Sequence, residues 1–288
     1  MAPPPESTRS ANRSAAVSRG PLLLVGLSIL VLVGVAVYGL VGVPAITGVT
    51  DTDVAPGTGT VTEVDGCTTL SEPGHYVLVT DLESETDRCL EVVADDVVVD
   101  GDGHRIRGGS RLVQGSVAVA VGPAEDEGTL RNVTVRNLSV VNWVFGVVYD
   151  SVDGGAIVDT STYQTVDGVT VRDSTDVSIE NTRIRNGCVG VCVVRSDRVE
   201  LSNTTLRWFT TTGVSVVDSR TVTVSNVTVS ETDVGIALYQ SEDIHLDDVN
   251  VTNAEGGGVV VTRPEQVPCD RRGEDRCARS SRAAAREY

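Results

Sequence analysis

The sequence predicts an all-β chain wound as a right-handed parallel β-helix, a single-stranded solenoid of about seven or eight rungs behind one N-terminal transmembrane helix. Two ladders and one apolar file carry that prediction. Glycine recurs at Gly146, Gly168, Gly190, Gly213, Gly235 and Gly257, at intervals of 22, 22, 23, 22 and 22. Asn137, Asp159, Asn181, Asn203, Asn226 and Asp248 keep step with it, and two residues before each of them stands Val135, Ile157, Ile179, Leu201, Val224 or Leu246. A fixed period of this length marks stacked repeats, each too small to bury its apolar face alone. The runs "VTVRN", "VSIEN", "VTVSN" and "IHLDD" alternate β-branched and polar residues, which argues strands rather than a leucine-rich repeat with a helical arm. Asn, Asp, Gly and Ser divide each period into three such runs, one rung of a β-helix.

The elements follow in chain order. Residues 1–20 carry Arg9, Arg13 and Arg19 and are expected in the cytoplasm. Residues 21–43, "PLLLVGLSILVLVGVAVYGLVGV", hold no charge, and at about 1.5 Å per residue such a run spans a hydrocarbon core. They are expected to anchor a single-pass membrane protein with its repeat domain outside the cell. A cleaved signal peptide is the alternative, against which stand the length of the run and the lack of a clear cleavage site. Residues 44–66, with "DTDVAPGTGT", read as a flexible spacer. The β-helix domain is placed at 67–263, and 264–288 form an Arg-rich tail without the repeat pattern.

Composition narrows the partners. The net charge is −17, the pI is about 4.5, and all 23 cationic residues are arginine. No basic face is available to displace counterions from phosphate, so nucleic acid is excluded. An acidic, lysine-free chain with few aromatics fits a protein kept soluble at high salt by hydrated carboxylates. Six cysteines in an exported chain suggest disulfides, with Cys67 expected to pair with Cys89 and Cys269 with Cys277. Cys188 and Cys192, about 13 Å apart on a straight strand, are too far apart to bridge each other unless the chain turns at Gly187 or Gly190, and their pairing stays open. No cofactor and no metal are expected.

Residues 67–108, "CTTLSEPGHYVLVTDLESETDRCLEVVADDVVVDGDGHRIRG", resemble the start of the right-handed parallel β-helix domain of haloarchaeal surface proteins, similar to the NosD-like and pectate-lyase-like superfamily. With the repeats the resemblance covers about 67–263, its most specific part being "DDVVVDGDGHRIRG". It implies the fold, and an activity only weakly, because the superfamily holds lyases, hydrolases, epimerases and members that only bind or build.

Three constellations are candidates for chemistry. Asp100, Asp102 and His104 offer acid, base or ligand, or else cap the first rung. If Val177 and Ile179 face inward, Glu180, Glu200, His245 and Asp247 face outward, with Arg183, Arg185 and Arg207 outward on the next strand. That set suits a glycan, or is the solvated side of two strands. The Asn/Asp ladder is read as structural, its amides bonding from rung to rung. The scattered His75, His104 and His245 and the single methionine give copper delivery little support, and the absence of lysine removes the Arg-x-Lys segment of polygalacturonase-like enzymes. The reading is a membrane-anchored extracellular module that binds cell-surface polysaccharide or glycoprotein, or contributes to the envelope, without catalysis. Its alternatives are a carbohydrate-active enzyme (polysaccharide lyase, glycoside hydrolase or epimerase) and a NosD-like accessory factor of a membrane complex. Five Asn-x-Ser/Thr sequons lie in the repeat domain, and glycosylation is expected at Asn132 and Asn250, which lie off the ladder.

Overall fold

The computed structural model describes residues 61–109, 113–124 and 128–261. The expected cytoplasmic tail, the transmembrane anchor at 21–43, most of the spacer, and the tail with Cys269 and Cys277 lie outside the described residues. No helix among the described residues is long and apolar enough to cross a membrane.

Strands follow one another round three walls, here called A, B and C. The first turns are laid by β1 (Val61–Val64), β2 (Thr68–Leu70), β3 (Gly74–Leu78) and β4 (Leu82–Ser84). The next coil is one strand per wall: β5 (Arg88–Val92) on A, β6 (Val97–Asp100) on B and β7 (Arg105–Gly108) on C. β8 (Val117–Val121) and β9 (Leu130–Arg136) continue A and B. From there strands run through corners: β10 (Ser139–Asp150), β12 (Ser161–Arg172) and β14 (Arg183–Val194) pass from C to A, with β11 (Val152–Val158) and β13 (Thr175–Glu180) on B between them. β15 (Asp197–Val217), β16 (Arg220–Tyr239) and β17 (Glu242–Val261) each pass B, C and A in turn. The solenoid makes about nine turns, one or two more than the sequence suggests. The excess lies at the N-terminal end, where the coils lack the ladder glycine. Strand β1 also falls within the segment read as spacer, its "VTEV" pairing with β3.

All the strand pairs are parallel, each residue lying over the one a coil away. On wall B, Val135, Ile157, Ile179, Leu201, Val224 and Leu246 form one file in register. The first five are buried and Leu246 is 38 % exposed, standing on the last described coil with no described coil beyond it. Val147, Val169, Val191, Val214 and Ile236 make a matching file on wall A. Val140, Thr162, Ile184, Leu206 and Val229 make the third, on wall C. Each coil thus covers the apolar face of the one before, as a solenoid requires.

The glycine ladder serves the bend from wall C into wall A. A Cβ on Gly190 would lie 2.5 Å from the carbonyl oxygen of Gly213, and one on Gly213 would lie 2.8 Å from that of Gly235. Only a residue without Cβ fits there. The last rung of this ladder is Gly258, not Gly257, since Val234 pairs with Gly257 and Ile236 with Val259.

Two buried hydroxyl ladders hold the other corners. At the A–B corner, the Ser196 hydroxyl accepts from the Ser174 N–H (3.2 Å) and donates to the Val194 carbonyl (2.9 Å). Ser174, Ser219 and Ser241 repeat the pattern one coil at a time. At the B–C corner, Thr182 donates to the Glu180 carbonyl and its N–H reaches Thr204. These side chains satisfy backbone groups that a tight corner removes from the sheet. Cys67 and Cys89 form a disulfide with Cα atoms 4.4 Å apart, one coil above the other, since Thr68 pairs with Leu90.

Candidate functional site

The B–C corner exposes the Asn/Asp ladder along the outside of the solenoid. Its residues all have left-handed backbone: φ is 57° at Asn137, 49° at Asp159, 52° at Asn181, 49° at Asn203 and Asn226, and 48° at Asp248. Asn and Asp tolerate that region better than other side-chain-bearing residues. The side chains are exposed along the outside of the corner. Asn226 Nδ2 donates to Asn203 Oδ1 at 2.7 Å, and Asn203 Nδ2 to Glu180 at 3.4 Å. The buried polar ladder at this corner is the threonine file one residue later.

Beside the ladder runs an open groove of about 560 Å³, walled by Asn137, Asp159, Asn181, Asn203, Arg183 and Thr205 among others. Of the residues singled out in the sequence, Arg183 stands in this groove and Glu180 at its edge. Glu200 and His245 share one outward file of wall B, two coils apart. Asp247 shares the file of Glu180, Ser202 and Ser225. His245 and Asp247 lie on the last described coil, away from the groove's named walls. The acidic candidates therefore form two files on wall B, while the arginines stand across the ladder on wall C.

Wall C adds a feature that alternation did not reveal. Tyr163, Arg185 and Arg207 form one outward file in register on three successive coils. The Arg185 guanidinium lies over the Tyr163 ring at 5.8 Å, and that of Arg207 over the Trp208 ring at 4.3 Å. Tyr163 is 38 % and Trp208 45 % exposed. Trp208 has a φ of 64° and leaves the strand register at the C–A corner, so period-2 reasoning gives no sign of which way it points. The Tyr163–Arg185–Arg207 file was legible in its 22-residue spacing. An arginine fixed over an aromatic ring offers a flat apolar surface edged with donors.

The "DGDGH" constellation is occupied by the fold. The Asp102 N–H donates to Asp100 Oδ1 (2.9 Å), and Arg136 bonds Asp100 Oδ2 (2.8 Å). Burial pushes the Asp100 carboxyl up, but the Asp102 N–H and the Arg136 guanidinium outweigh it and hold it below the usual value, so it is no proton donor near neutrality. His104 Nδ1 lies 3.2 Å from Asp81, whose carboxylate also takes the Arg105 N–H. His75 Nε2 lies 3.9 Å from Asp100. At the glycosylation candidates, Asn132 Nδ2 donates to Asp96 (2.8 Å), and Asn250 is exposed on wall C beside Thr228. The ladder asparagines are exposed too, so burial does not set them apart from these two.

The sequence model of the family described as right-handed beta helix region matches residues 123–267. No curated protein matches the chain. Among solved structures, the chain is similar to the enzymatically active domain of tailspike protein 2 of bacteriophage CBA120, with a TM-score of 0.51, 12 % identity, and coverage of 70 % of this chain and 39 % of that one. It is also similar to the A-module of a mannuronan C-5 epimerase of Azotobacter vinelandii, with a TM-score of 0.41, 16 % identity, and coverage of 69 % and 59 %. A polygalacturonase of Erwinia carotovora subsp. carotovora gives a TM-score of 0.35 at 13 % identity, over 70 % of this chain and 87 % of that one. This chain spans less than two thirds of the first two. At such identities the likeness is one of fold.

Proposed function

The chain belongs to the right-handed β-helix family, and from that premise we propose that it is a glycan-binding module of the cell surface whose ligand lies along the B–C corner and wall C. One observation carries the reading: the polar groove beside the Asn/Asp ladder adjoins a wall that presents Tyr163, Arg185, Arg207 and Trp208 in one cluster. Sugars offer both apolar ring faces and rims of hydroxyls. The arginine-backed rings suit the faces, and Asn181, Asn203, Arg183 and Thr205 suit the hydroxyls. The role is binding rather than turnover, since in the "DGDGH" segment the Asp100 carboxylate is engaged by Arg136 and the Asp102 N–H, and the His104 ring by Asp81.

The setting proposed with it is a single-pass anchor at 21–43 with the solenoid outside the cell, in a haloarchaeal-type, high-salt environment, and N-glycans at Asn132 and Asn250. The NosD-like resemblance does not alter this reading, because His75 and His104 stand against carboxylates rather than together. The test is a glycan array probed in molar salt with the full chain and with the R207A and W208A variants. Binding that falls about fivefold or more in each variant is expected, the loss of an arginine or aromatic anchor being worth upward of about 1 kcal/mol. Binding that survives both substitutions, or no binding at all, overturns the reading. New reducing ends or unsaturated sugars in the same wells would put the enzyme alternative in its place.

A further inference from the structure

Arginine pairs with acid almost everywhere on this solenoid. Among the described residues, the arginines that form no ion pair are Arg105, Arg183, Arg185 and Arg207, and all four stand on wall C. Arg105 lies toward the N-terminal end, where Asp81 takes its backbone N–H (2.9 Å). The other three occupy two successive coils, Arg183 and Arg185 on β14 and Arg207 on β15 in register with Arg185. A chain with 40 Asp and Glu to 23 arginines brings acids close by composition alone. Wall C keeps them off. One outward file runs from Arg105 through Arg183 to Asn250, the other from Arg107 through Tyr163, Arg185 and Arg207 to Thr252, and neither holds an Asp or a Glu from β7 to β17. Wall B, by contrast, turns Glu180, Glu200 and Asp247 outward.

The guanidinium groups are also held ready. Arg185 lies over the Tyr163 ring and Arg207 over the Trp208 ring. A guanidinium stacked on a ring keeps its in-plane N–H groups free and loses little rotamer freedom when it binds. Trp208 itself is placed at a cost. Asn142, Gln164, Asn186, Trp208, Glu231 and Asn253 form a left-handed ladder at the C–A corner, with φ from 52° to 64°. Five of them are unbranched polar residues. A bulky ring there is strained, and at 45 % exposure it recovers little by burial. Its coil holds an extra residue just beyond it, since Gly187 pairs with Phe209 but Val189 with Thr212. Strain and an irregular strand beside an exposed side chain mark a place where that side chain is used. The acid at this corner, Glu231, is turned to Asn253, which donates to it at 2.8 Å.

We propose that the ligand of wall C is an anionic glycan, its carboxylate or sulfate groups taken by Arg183, Arg185 and Arg207. This rests on the glycan reading above and adds the charge class. The backbones of Arg185 and Arg207 lie about 4.8 Å apart, and those of Arg183 and Arg185 about 6.6 Å, so oxyanions on one sugar or on neighbouring sugars meet more than one guanidinium. In molar salt the Debye length is about 3 Å, so the chain's net negative charge does not repel such a ligand and contact pairs decide. An acid on either file would compete at contact distance, which is what the two acid-free files prevent.

The test is binding of the full chain, in molar salt, to dextran, carboxymethyl dextran, dextran sulfate and inorganic polyphosphate. At least one charged dextran should bind about tenfold or more tighter than dextran, and R185A and R207A should each remove about that factor. Whether the carboxymethyl or the sulfate polymer binds tells which oxyanion is read. R220A changes the net charge equally, away from wall C, and should bind as the parent does. S230D puts an acid one coil from Arg207 and should lower binding of the charged polymer about tenfold with the circular dichroism retained. Dextran bound as tightly as its charged derivatives would overturn the charge class and leave the glycan reading standing. Polyphosphate bound as tightly as the charged dextrans, or no binding to any of the four, would overturn both. A folded S230D variant with undiminished binding, or a loss in R220A equal to that in R207A, would overturn the assignment to wall C.

Discussion

At Asn203 the backbone φ is 49° and the side chain is exposed, so the residue answers a conformational demand rather than a buried one. A left-handed residue with a β-branched side chain costs about 1–2 kcal/mol, and glycine does not incur that cost. Asn203→Val should therefore destabilise the solenoid by about that amount, and Asn203→Gly by less than about 0.5 kcal/mol, read as urea midpoints. Equal losses in the two variants would mean that the Asn226–Asn203 side-chain bond, not the backbone, is what the ladder supplies. Gly190 is constrained from the other side. Its missing Cβ makes room for the Gly213 carbonyl at 2.5 Å, so Gly190→Ala should cost about 1–3 kcal/mol through forced displacement of backbone. Ser196→Ala removes the acceptor of a buried N–H and should cost about 1–3 kcal/mol, whereas a serine in a loose surface turn would cost almost nothing.

Between one coil and the next, the elements are tied by Asp–Arg pairs at the A–B corner. Arg195 bonds Asp173 through two nitrogens (2.7 and 2.6 Å), and Arg198 bonds Asp176 likewise (2.6 and 2.9 Å), each across one coil. The Arg198 guanidinium holds the Asp176 carboxyl below its usual value of 3.8, and the Arg105 N–H and His104 do the same for Asp81. A carboxyl lowered in the folded state stabilises it above the unfolded value, and that contribution is lost as pH falls through the folded value. Unfolding in molar salt should thus set in below about pH 4, and Asp176→Asn should flatten that acid limb. An acid limb of the same depth in Asp176→Asn and Asp100→Asn would show that other carboxylates carry it. The stacking itself was legible in the sequence, since residues 22 or 23 apart must lie one coil above another. That rule foretells the file from Val135 to Leu246, and the 22-residue separation of Cys67 and Cys89. It served less well where polarity stood for exposure. Ser174, Ser196, Ser219 and Ser241 keep the same period but are corner ties, their hydroxyls bonded to backbone inside the turn. Trp208 escaped because a left-handed residue at a corner breaks the alternation that tells inward from outward.

The chain carries a formal net charge of −17, and the coils of the described solenoid lie about 4.8 Å apart. The corner arginines neutralise their own aspartates, but Glu200, Asp233, Asp243, Asp247, Asp248 and Glu255 stand exposed toward the C-terminal coils. In molar salt the Debye length is about 3 Å, so a charge does not act even on the coil next to it. At about 10 mM it is about 30 Å, and a carboxylate then repels those up to roughly six coils away. The repulsion falls on the end of the solenoid that is least buried. On β17, Leu246, Val259 and Val261 are exposed hydrophobics, and no described coil stacks beyond them. Dilution from molar salt should therefore loosen the molecule from this end. Amide exchange should quicken first in β17, then in β16, before the β-sheet circular dichroism collapses, and the coils that hold Val135 and Ile157 should open later than those that hold Val224 and Leu246. A chain whose exchange and circular dichroism stay the same from molar salt to dilute buffer would show that the Asp–Arg ties and apolar files outweigh its net charge. A chain that loosened first at Val61 would show that the N-terminal coils, not the acidic end, are its weak point.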